Sequence, residues 1–154
     1  FGVAKGNIFI QDWSNPRIKG EILHQLIASA SQLIEIEAKT KQLADYYLWS
    51  AAQREEALAK IRQIQKSEGL SEFFNDQNNL LIEREFYDEQ GEIFRPDRLL
   101  VKGDSVSILD FKSGEQREQD KKQVKAYASA LNELGYKTDA LFLYYFNDES
   151  IVSC

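Results

Sequence analysis

The feature that most constrains this chain is a pair of short segments, Arg95-Pro96-Asp97 and Ile108-Leu109-Asp110-Phe111-Lys112, with Gly103-Asp104 between them. Ile93 to Val101 and Val106 to Lys112 have the β-branched and apolar character of strands. The Gly-Asp pair reads as a hairpin turn. Side chains two apart on a strand point the same way, roughly 6.6–7 Å apart along the chain. Asp110 and Lys112 therefore share a face. Thirteen positions separate Asp97 from Asp110, so pairing the two strands brings both aspartates to one end of the ladder. Pro96 has no N–H to give, which implies an edge or a bulge there.

Two carboxylates held close together repel each other in a partly dry site. A divalent cation relieves that repulsion, and hard oxygen ligands suit Mg²⁺ or Mn²⁺. A lysine beside such a pair can hold a water or offset charge developing on a phosphate. The plain alternative is a half-exposed strand, in which Asp and Lys alternate with apolar residues for no chemical reason.

At 154 residues, 43% of them hydrophobic, the chain suits one domain with a single core. No apolar run approaches the ~20 residues of a membrane span, and no secretory signal is visible, so no membrane partner is expected. The chain begins at Phe1 and contains no Met, the expectation being a piece of a longer polypeptide. Its one cysteine, Cys154, excludes an internal disulfide and a cysteine zinc site. A reducing cytoplasm is the natural compartment. The net charge of −6 is awkward for a protein that captures nucleic acid alone, because phosphate contacts dominate that affinity.

Residues 1 to 13 read as a loosely attached arm or short strand. Asn15-Pro16 starts a helix, with Asn15 as cap and Pro16 in the first turn. Ile22, Leu23, Leu26, Ile27 and Ala30 are its apolar stripe. Gly20, His24 and Ala28, at spacing four, form a neighbouring face on which two small residues allow close approach. His24 is the sole histidine: either a satisfied imidazole at a core edge or a metal ligand. Glu21 is expected to be solvated. Thr40 to Trp49 reads as a second helix. Ser50 to Gln53 is a capping box, followed by the stripe Ala57, Leu58, Ile61, Ile64. Ser71 caps a short helix. The aromatics Tyr46, Tyr47, Trp49, Phe73 and Phe74 are expected in the core, since no basic run is interleaved with them.

Leu80 to Tyr87 reads as the first strand, with Glu83 and Glu85 on one face, and Asp88 to Gly91 turns it into the strand carrying Asp97. After Lys112, Ser113-Gly114 breaks the strand. The polar residues 115 to 120 read as a mobile loop able to gate substrate. A helix from about Asp120 to Leu134, closed by Gly135, places Gln123 and Tyr127 on one face. Lys121, Lys122 and Lys125 form a local basic cluster suited to phosphate. Asp139 to Phe146 is an apolar strand buried on both faces. Strand–helix–strand implies a right-handed parallel crossover. The expected fold is α/β: a mixed central sheet, a three-strand meander plus one parallel strand, flanked by helices.

Arg95-Pro96-Asp97 with Asp110-Phe111-Lys112-Ser113-Gly114 resembles the signature of the PD-(D/E)xK nuclease superfamily. Together with Gly20-Glu21-Ile22-Leu23-His24 upstream and Gln123-Val124-Lys125-Ala126-Tyr127 downstream, it is most similar to the RecB-like nuclease domain of bacterial helicase-nucleases of the RecBCD and AddAB type. The similarity runs from about Lys19 to Tyr145. It implies a restriction-endonuclease-like core with a helical insert over residues 31–78. It implies Mg²⁺ or Mn²⁺ held by His24, Asp97, Asp110 and the backbone carbonyl of Phe111, with Asp97, Asp110 and Lys112 as the catalytic set. Gln123 and Tyr127 would face the cleft, toward the DNA backbone or the surroundings of Lys112, and Glu83 would stand near the metal. Some RecB-like nucleases carry an iron–sulfur cluster on four cysteines, which this chain does not have. The implied activity is a deoxyribonuclease, exonuclease rather than endonuclease, processing DNA ends in double-strand-break repair. Its partners would be DNA, helicase motor domains in the same polypeptide and a partner subunit. Motor domains that deliver the strand would reconcile this with the acidic charge. Two other readings stand beside it: a catalytically silent module of the same fold that braces the helicase or holds a DNA tail, and a related nuclease outside repair.

Overall fold

The computed structural model describes residues 15–28, 33–75 and 79–154. The N-terminal arm and the stripe position Ala30 lie outside these residues. Helices α1 (Pro16–Ala28), α2 (Leu33–Tyr46), α3 (Ala51–Lys66) and the single turn α4 (Glu72–Asn75) precede the strands. There follow β1 (Leu80–Ile82), β2 (Phe86–Tyr87), β3 (Ile93–Phe94), β4 (Arg98–Lys102) and β5 (Ser105–Lys112). The chain ends with α5 (Glu118–Glu133), β6 (Lys137–Tyr145) and β7 (Ser150–Ser153). The fold is α/β, with a five-stranded mixed sheet in the order β1-β4-β5-β6-β7. β5 and β6 run parallel, and the other pairs are antiparallel. Among the described residues no helix is long and apolar enough to cross a membrane.

Local signals explain most element ends. Asn15 accepts from the Arg17 amide at 2.9 Å and satisfies one of the donors that a helix start leaves open. Ser50 and Gln53 form both halves of the capping box. Gly91, Gly103 and Gly135 each adopt positive φ at the turns expected of them. Glycine alone enters that region without a Cβ penalty. α2 departs from expectation, running Leu33–Tyr46 rather than Thr40 to Trp49. Thr40 hides its stripe: it is fully buried and its hydroxyl donates to the Ile36 carbonyl at 2.6 Å.

The two long strands expected to flank the Asp88 turn are both broken. The ladder of β1 with β4 ends at Ile82↔Arg98. Glu83 then turns through φ +48°, and Pro96 has no N–H to continue the ladder. The chain leaves the sheet on both sides and closes a separate ribbon, β2 with β3. Glu83 and Glu85 therefore do not share a strand face. β7, a four-residue strand on β6, extends the expected four-strand sheet to five.

The sheet separates two apolar layers. Leu100, Leu109, Phe111, Tyr144 and Phe146 pack with α1 to α4, burying Tyr47, Trp49, Phe73 and Phe74 as expected, whereas Tyr46, expected in the core, is exposed at the end of α2, its ring edge-on to that of Tyr47. Leu99, Ile108, Leu143 and Tyr145 pack with Val124, Tyr127 and Leu131 of α5. Alternation then puts Asp110 and Lys112 on the same face as Ile108, under α5. Residues 115 to 120, expected as one loop, divide: Glu118 to Asp120 already belong to α5, and the loop proper is residues 113–117. The Gln116 amide donates to Asp148 at 3.2 Å and to Ser150 at 2.9 Å, which ties the loop to the β6–β7 turn.

Candidate metal centre

One register step beyond Arg98↔Leu109, Asp97 and Asp110 face each other at the end of the β4–β5 ladder. Each carboxylate accepts a hydrogen bond from main chain near the other. The Asp97 amide donates to Asp110 Oδ1 at 3.0 Å, and the Phe111 amide donates to Asp97 Oδ2 at 2.7 Å. Charge-assisted bonds of this kind are stronger than neutral ones, so both side chains are aimed by the strands themselves.

His24 reaches the same point from α1, its Nε2 lying 3.2 Å from Asp97 Oδ2. Gly20 makes that approach possible. A Cβ on Gly20 would stand 3.0 Å from the Ser113 carbonyl oxygen and 3.3 Å from Phe146 Cβ. The small face expected on α1 is thus a backbone-to-backbone contact between the helix and the end of β5. Gly20→Val is expected to force α1 off Ser113, because a β-branched side chain has no rotamer that clears the carbonyl. Thermal melts should show a lower Tm, with Gly20→Ala falling between Gly20→Val and wild type.

Lys112 Nζ is 3.0 Å from Asp110 Oδ2 and donates to Gln123 Oε1 at 2.5 Å. Gln123 therefore holds the lysine. Tyr127, one turn on, is buried, and Phe94 of the ribbon packs edge-on against its ring with centroids 5.9 Å apart. Burial, then the charges of Asp110 and Asp97, push the Tyr127 hydroxyl up to about 12, so it stays a donor at neutral pH. Glu83 is exposed on the wall of a cleft that His24 also lines, while Glu85 is exposed. Exposed Glu21 pairs with Arg17 at 3.3 Å, as a solvated residue should. Of the basic cluster, Lys121 pairs with Glu118 at 3.7 Å, and the charges of Lys121 and Lys125 act on Cys154. Those two lysines thus lie toward the chain's end rather than in the cleft.

The electrostatics follow from burial and pairing. Burial, then the charge of Asp97, raises Asp110 to about 6, against the pull of Lys112. Burial also opposes ionisation of Asp97, but the hydrogen bond and charge of His24 and the Phe111 amide outweigh it and hold Asp97 below its ordinary 3.8. For His24, burial favours the neutral ring. The bond to Asp97 and the charges of Asp97 and Asp110 overcome it and raise the imidazole above 6.5.

These shifts set a sign for stability. The raised His24 stabilises below pH 6.5, and that contribution is lost as pH rises through its folded value. The lowered Asp97 stabilises above pH 3.8, lost on acidification. The raised Asp110 favours the folded state below pH 3.8, and that contribution, on the order of 3 kcal/mol at most, is lost as pH rises from 3.8 through about 6. In EDTA the protein is expected to melt several degrees higher at pH 5.5 than at pH 8. Asp110→Asn should reduce that difference to the part that His24 supplies, and an unchanged difference would count against the assignment.

The donor set fits a divalent cation. A buried carboxylate, Asp110, a half-buried one, Asp97, an imidazole and the Phe111 carbonyl at one strand end are oxygen and nitrogen ligands suited to Mg²⁺ or Mn²⁺, and burial, then the neighbouring charge of Asp97, makes ionisation of Asp110 costly without a cation. Among the described residues no three His, Cys, Asp or Glu side chains already stand as a ligand cage. The oxygens are engaged by His24, Lys112 and two amides, so a cation would exchange with the His24–Asp97 and Lys112–Asp110 contacts.

The sequence reading missed Arg98, the residue after Asp97. It is fully buried, and its guanidinium donates to the Ile27 carbonyl at 2.5 Å and the Phe73 carbonyl at 3.3 Å. An arginine in a strand gives no warning of this. The only available signal was its position between a site residue and the apolar Leu99-Leu100.

No protein-family profile and no curated protein sequence matches the chain.

Proposed function

We propose that this chain is a metal-dependent deoxyribonuclease domain of the RecB-like type, with a restriction-endonuclease-like core. It would cleave phosphodiester bonds in a strand fed to it by motor domains of the same polypeptide. Strand feeding favours an exonuclease, and DNA ends in repair are the fitting substrate. One observation carries the reading: His24 of α1, Asp97 just ahead of β4, and Asp110 and Lys112 of β5 converge at the end of β5.

Mg²⁺ or Mn²⁺ held by His24, Asp97, Asp110 and the Phe111 carbonyl would supply Lewis-acid charge to the phosphate and make water more acidic. The remaining work falls to the chain. Lys112, braced by Asp110 and Gln123, presents an ammonium N–H to the attacking water. A new P–O bond to that water forms as the bond to the leaving sugar oxygen breaks, the attacking water gives up its proton to solvent, and the leaving sugar oxygen takes a proton from solvent to end as a hydroxyl. Tyr127 keeps its phenolic proton near Asp110 and Asp97 and orients the strand. Single-stranded DNA with Mg²⁺ is expected to be cleaved by wild type and about 10²–10⁴-fold more slowly by Lys112→Ala. Equal rates in both proteins would refute the reading.

The net charge of −6 favours a second reading, a silent module of the same fold that braces a helicase or holds a DNA tail. Calorimetry with Mn²⁺ separates the two. A binding heat that disappears in Asp97→Asn and Asp110→Asn supports the nuclease, and it should weaken from pH 7 to pH 5 as Asp110 takes up its proton.

A further inference from the structure

The β2–β3 ribbon stands apart from the main sheet and has two unlike faces. Phe86 and Phe94, paired in register, stack with centroids 5.4 Å apart, and Phe94 meets the Tyr127 ring at 5.9 Å. That face is closed against α5. The next register pair, Tyr87↔Ile93, points the other way. Tyr87 is 56% exposed and Ile93 57%, so a cross-strand aromatic–aliphatic pair is left open to solvent.

The inner end of the ribbon runs straight into the candidate metal centre. Arg95 follows Phe94 and stands two residues before Asp97, whose carboxylate accepts from the Phe111 amide at 2.7 Å. Phe94 on Tyr127 and Asp97 at the end of β5 therefore hold Arg95 from both sides. Two Cα–Cα steps keep its Cα within about 7.6 Å of that of Asp97. Besides burial, the charges that act on the Tyr127 hydroxyl are those of Asp110, Asp97 and, in the opposite sense, Arg95, which keeps the guanidinium beside the site. Arg95 is exposed and makes no ion pair or hydrogen bond among the described residues. Glu85, which would extend the register opposite it, is exposed too and does not bridge to it. By contrast, Arg17 pairs with Glu21, Arg62 with Glu37 and Lys112 with Asp110.

The ribbon's other carboxylates gather at its far turn. Asp88 accepts from the Gln90 amide at 2.9 Å and the Glu92 amide at 2.8 Å, and Glu89 and Glu92 are exposed there. A polyanion is repelled at that tip and attracted at the Arg95 end. We propose that the inner half of the ribbon holds single-stranded DNA beside the metal centre: the Arg95 guanidinium takes a phosphate next to the one being cleaved, and the open Tyr87 ring stacks on a base. This rests on the nuclease reading. Neither group gives or takes a proton; together they set which phosphate stands over Lys112.

The experiment measures affinity for a single-stranded oligonucleotide as a function of salt, with Mg²⁺ and on the Lys112→Ala background, where turnover is slow. One lost phosphate contact lowers the slope of log K against log salt by about 0.7 for single strands. Arg95→Gln is expected to show that drop and Arg95→Lys to keep the slope. Tyr87→Ala should weaken binding about tenfold at an unchanged slope, Tyr87→Phe should not, and an abasic oligonucleotide should bind Tyr87→Ala and the parent alike. Lys41→Gln and Tyr46→Ala, which alter an exposed lysine and an exposed tyrosine of α2, should behave as the parent. An unaltered slope in Arg95→Gln, or an equal drop in Lys41→Gln, overturns the assignment while wild-type cleavage in Mg²⁺ still stands. Unaltered binding in Tyr87→Ala leaves the open pair to a protein partner and overturns it too. If wild type neither binds nor cleaves single-stranded DNA, the nuclease reading and this proposal fall together.

Discussion

Asp97→Asn is expected to lower cleavage by on the order of 10³-fold and to abolish the Mn²⁺ heat. The amide keeps an oxygen for the Phe111 N–H, so the strand end stays ordered. What it loses is the charge that faces His24 and a cation. Charge of this kind contributes several kcal/mol in a transition state, and each 1.4 kcal/mol is about a tenfold change in rate. Lys112→Ala gives a different pattern. It should lose cleavage yet keep Mn²⁺ binding, since no ligand is removed. Cleavage by Asp97→Asn within tenfold of wild type would remove Asp97 from the chemistry.

The largest loss of stability is expected from Arg98→Met. Burial pushes Arg98 down to about 10 against the charges of Asp97, Glu83 and Glu35, so the side chain remains a cation at neutral pH. Its guanidinium stands 4.5 Å from the centre of the Phe74 ring and donates to the carbonyls of Ile27 and Phe73. One of these carbonyls lies in the last turn of α1, where helices leave acceptors open. Methionine fills much of the volume but donates nothing. Breaking a buried ionic hydrogen-bond set costs about 3–5 kcal/mol, or roughly 6–20 °C in Tm for a chain of this size. Arg98→Lys should recover only part, because an ammonium lacks the fork that spans both carbonyls. A melt of Arg98→Met within 2 °C of wild type would contradict this account.

Periodic and capping signals in the sequence located the helices that carry the site and the strand pair that aligns it. Asn15, the Ser50–Gln53 box and Gly135 mark helix ends by mechanisms confined to a few neighbouring residues, so they are readable locally. The aspartate pair was readable because hairpin register follows from the Gly103-Asp104 turn. Other features depend on distant partners. The stripe of α2 contains Thr40, whose hydroxyl is satisfied only inside its own helix. The bend at Glu83 follows from Pro96 on the neighbouring strand, which ends a ladder that Leu80 to Tyr87 would otherwise continue. β7 is stabilised by pairing with β6, and its four residues carry too little pattern to announce it. Residues 115 to 120 read as a mobile loop because they are polar, but Glu118 to Asp120 already begin α5, and Gln116 finds Asp148 and Ser150 more than thirty residues later. Arg98 is hidden most deeply, since its burial depends on two carbonyls from separate helices.

The crossed amide bonds between Asp97 and Asp110 have a consequence for selectivity. A receptor whose oxygens are locked in advance gives an incoming ion little freedom to gather further ligands around itself. Larger ions that favour seven or eight neighbours lose more from that stiffness than small octahedral ones. In the proposed metal site Ca²⁺ should therefore bind more weakly than Mg²⁺ or Mn²⁺, and the order of occupancy among divalent ions should follow how well each tolerates carboxylates aimed by the strands beneath them.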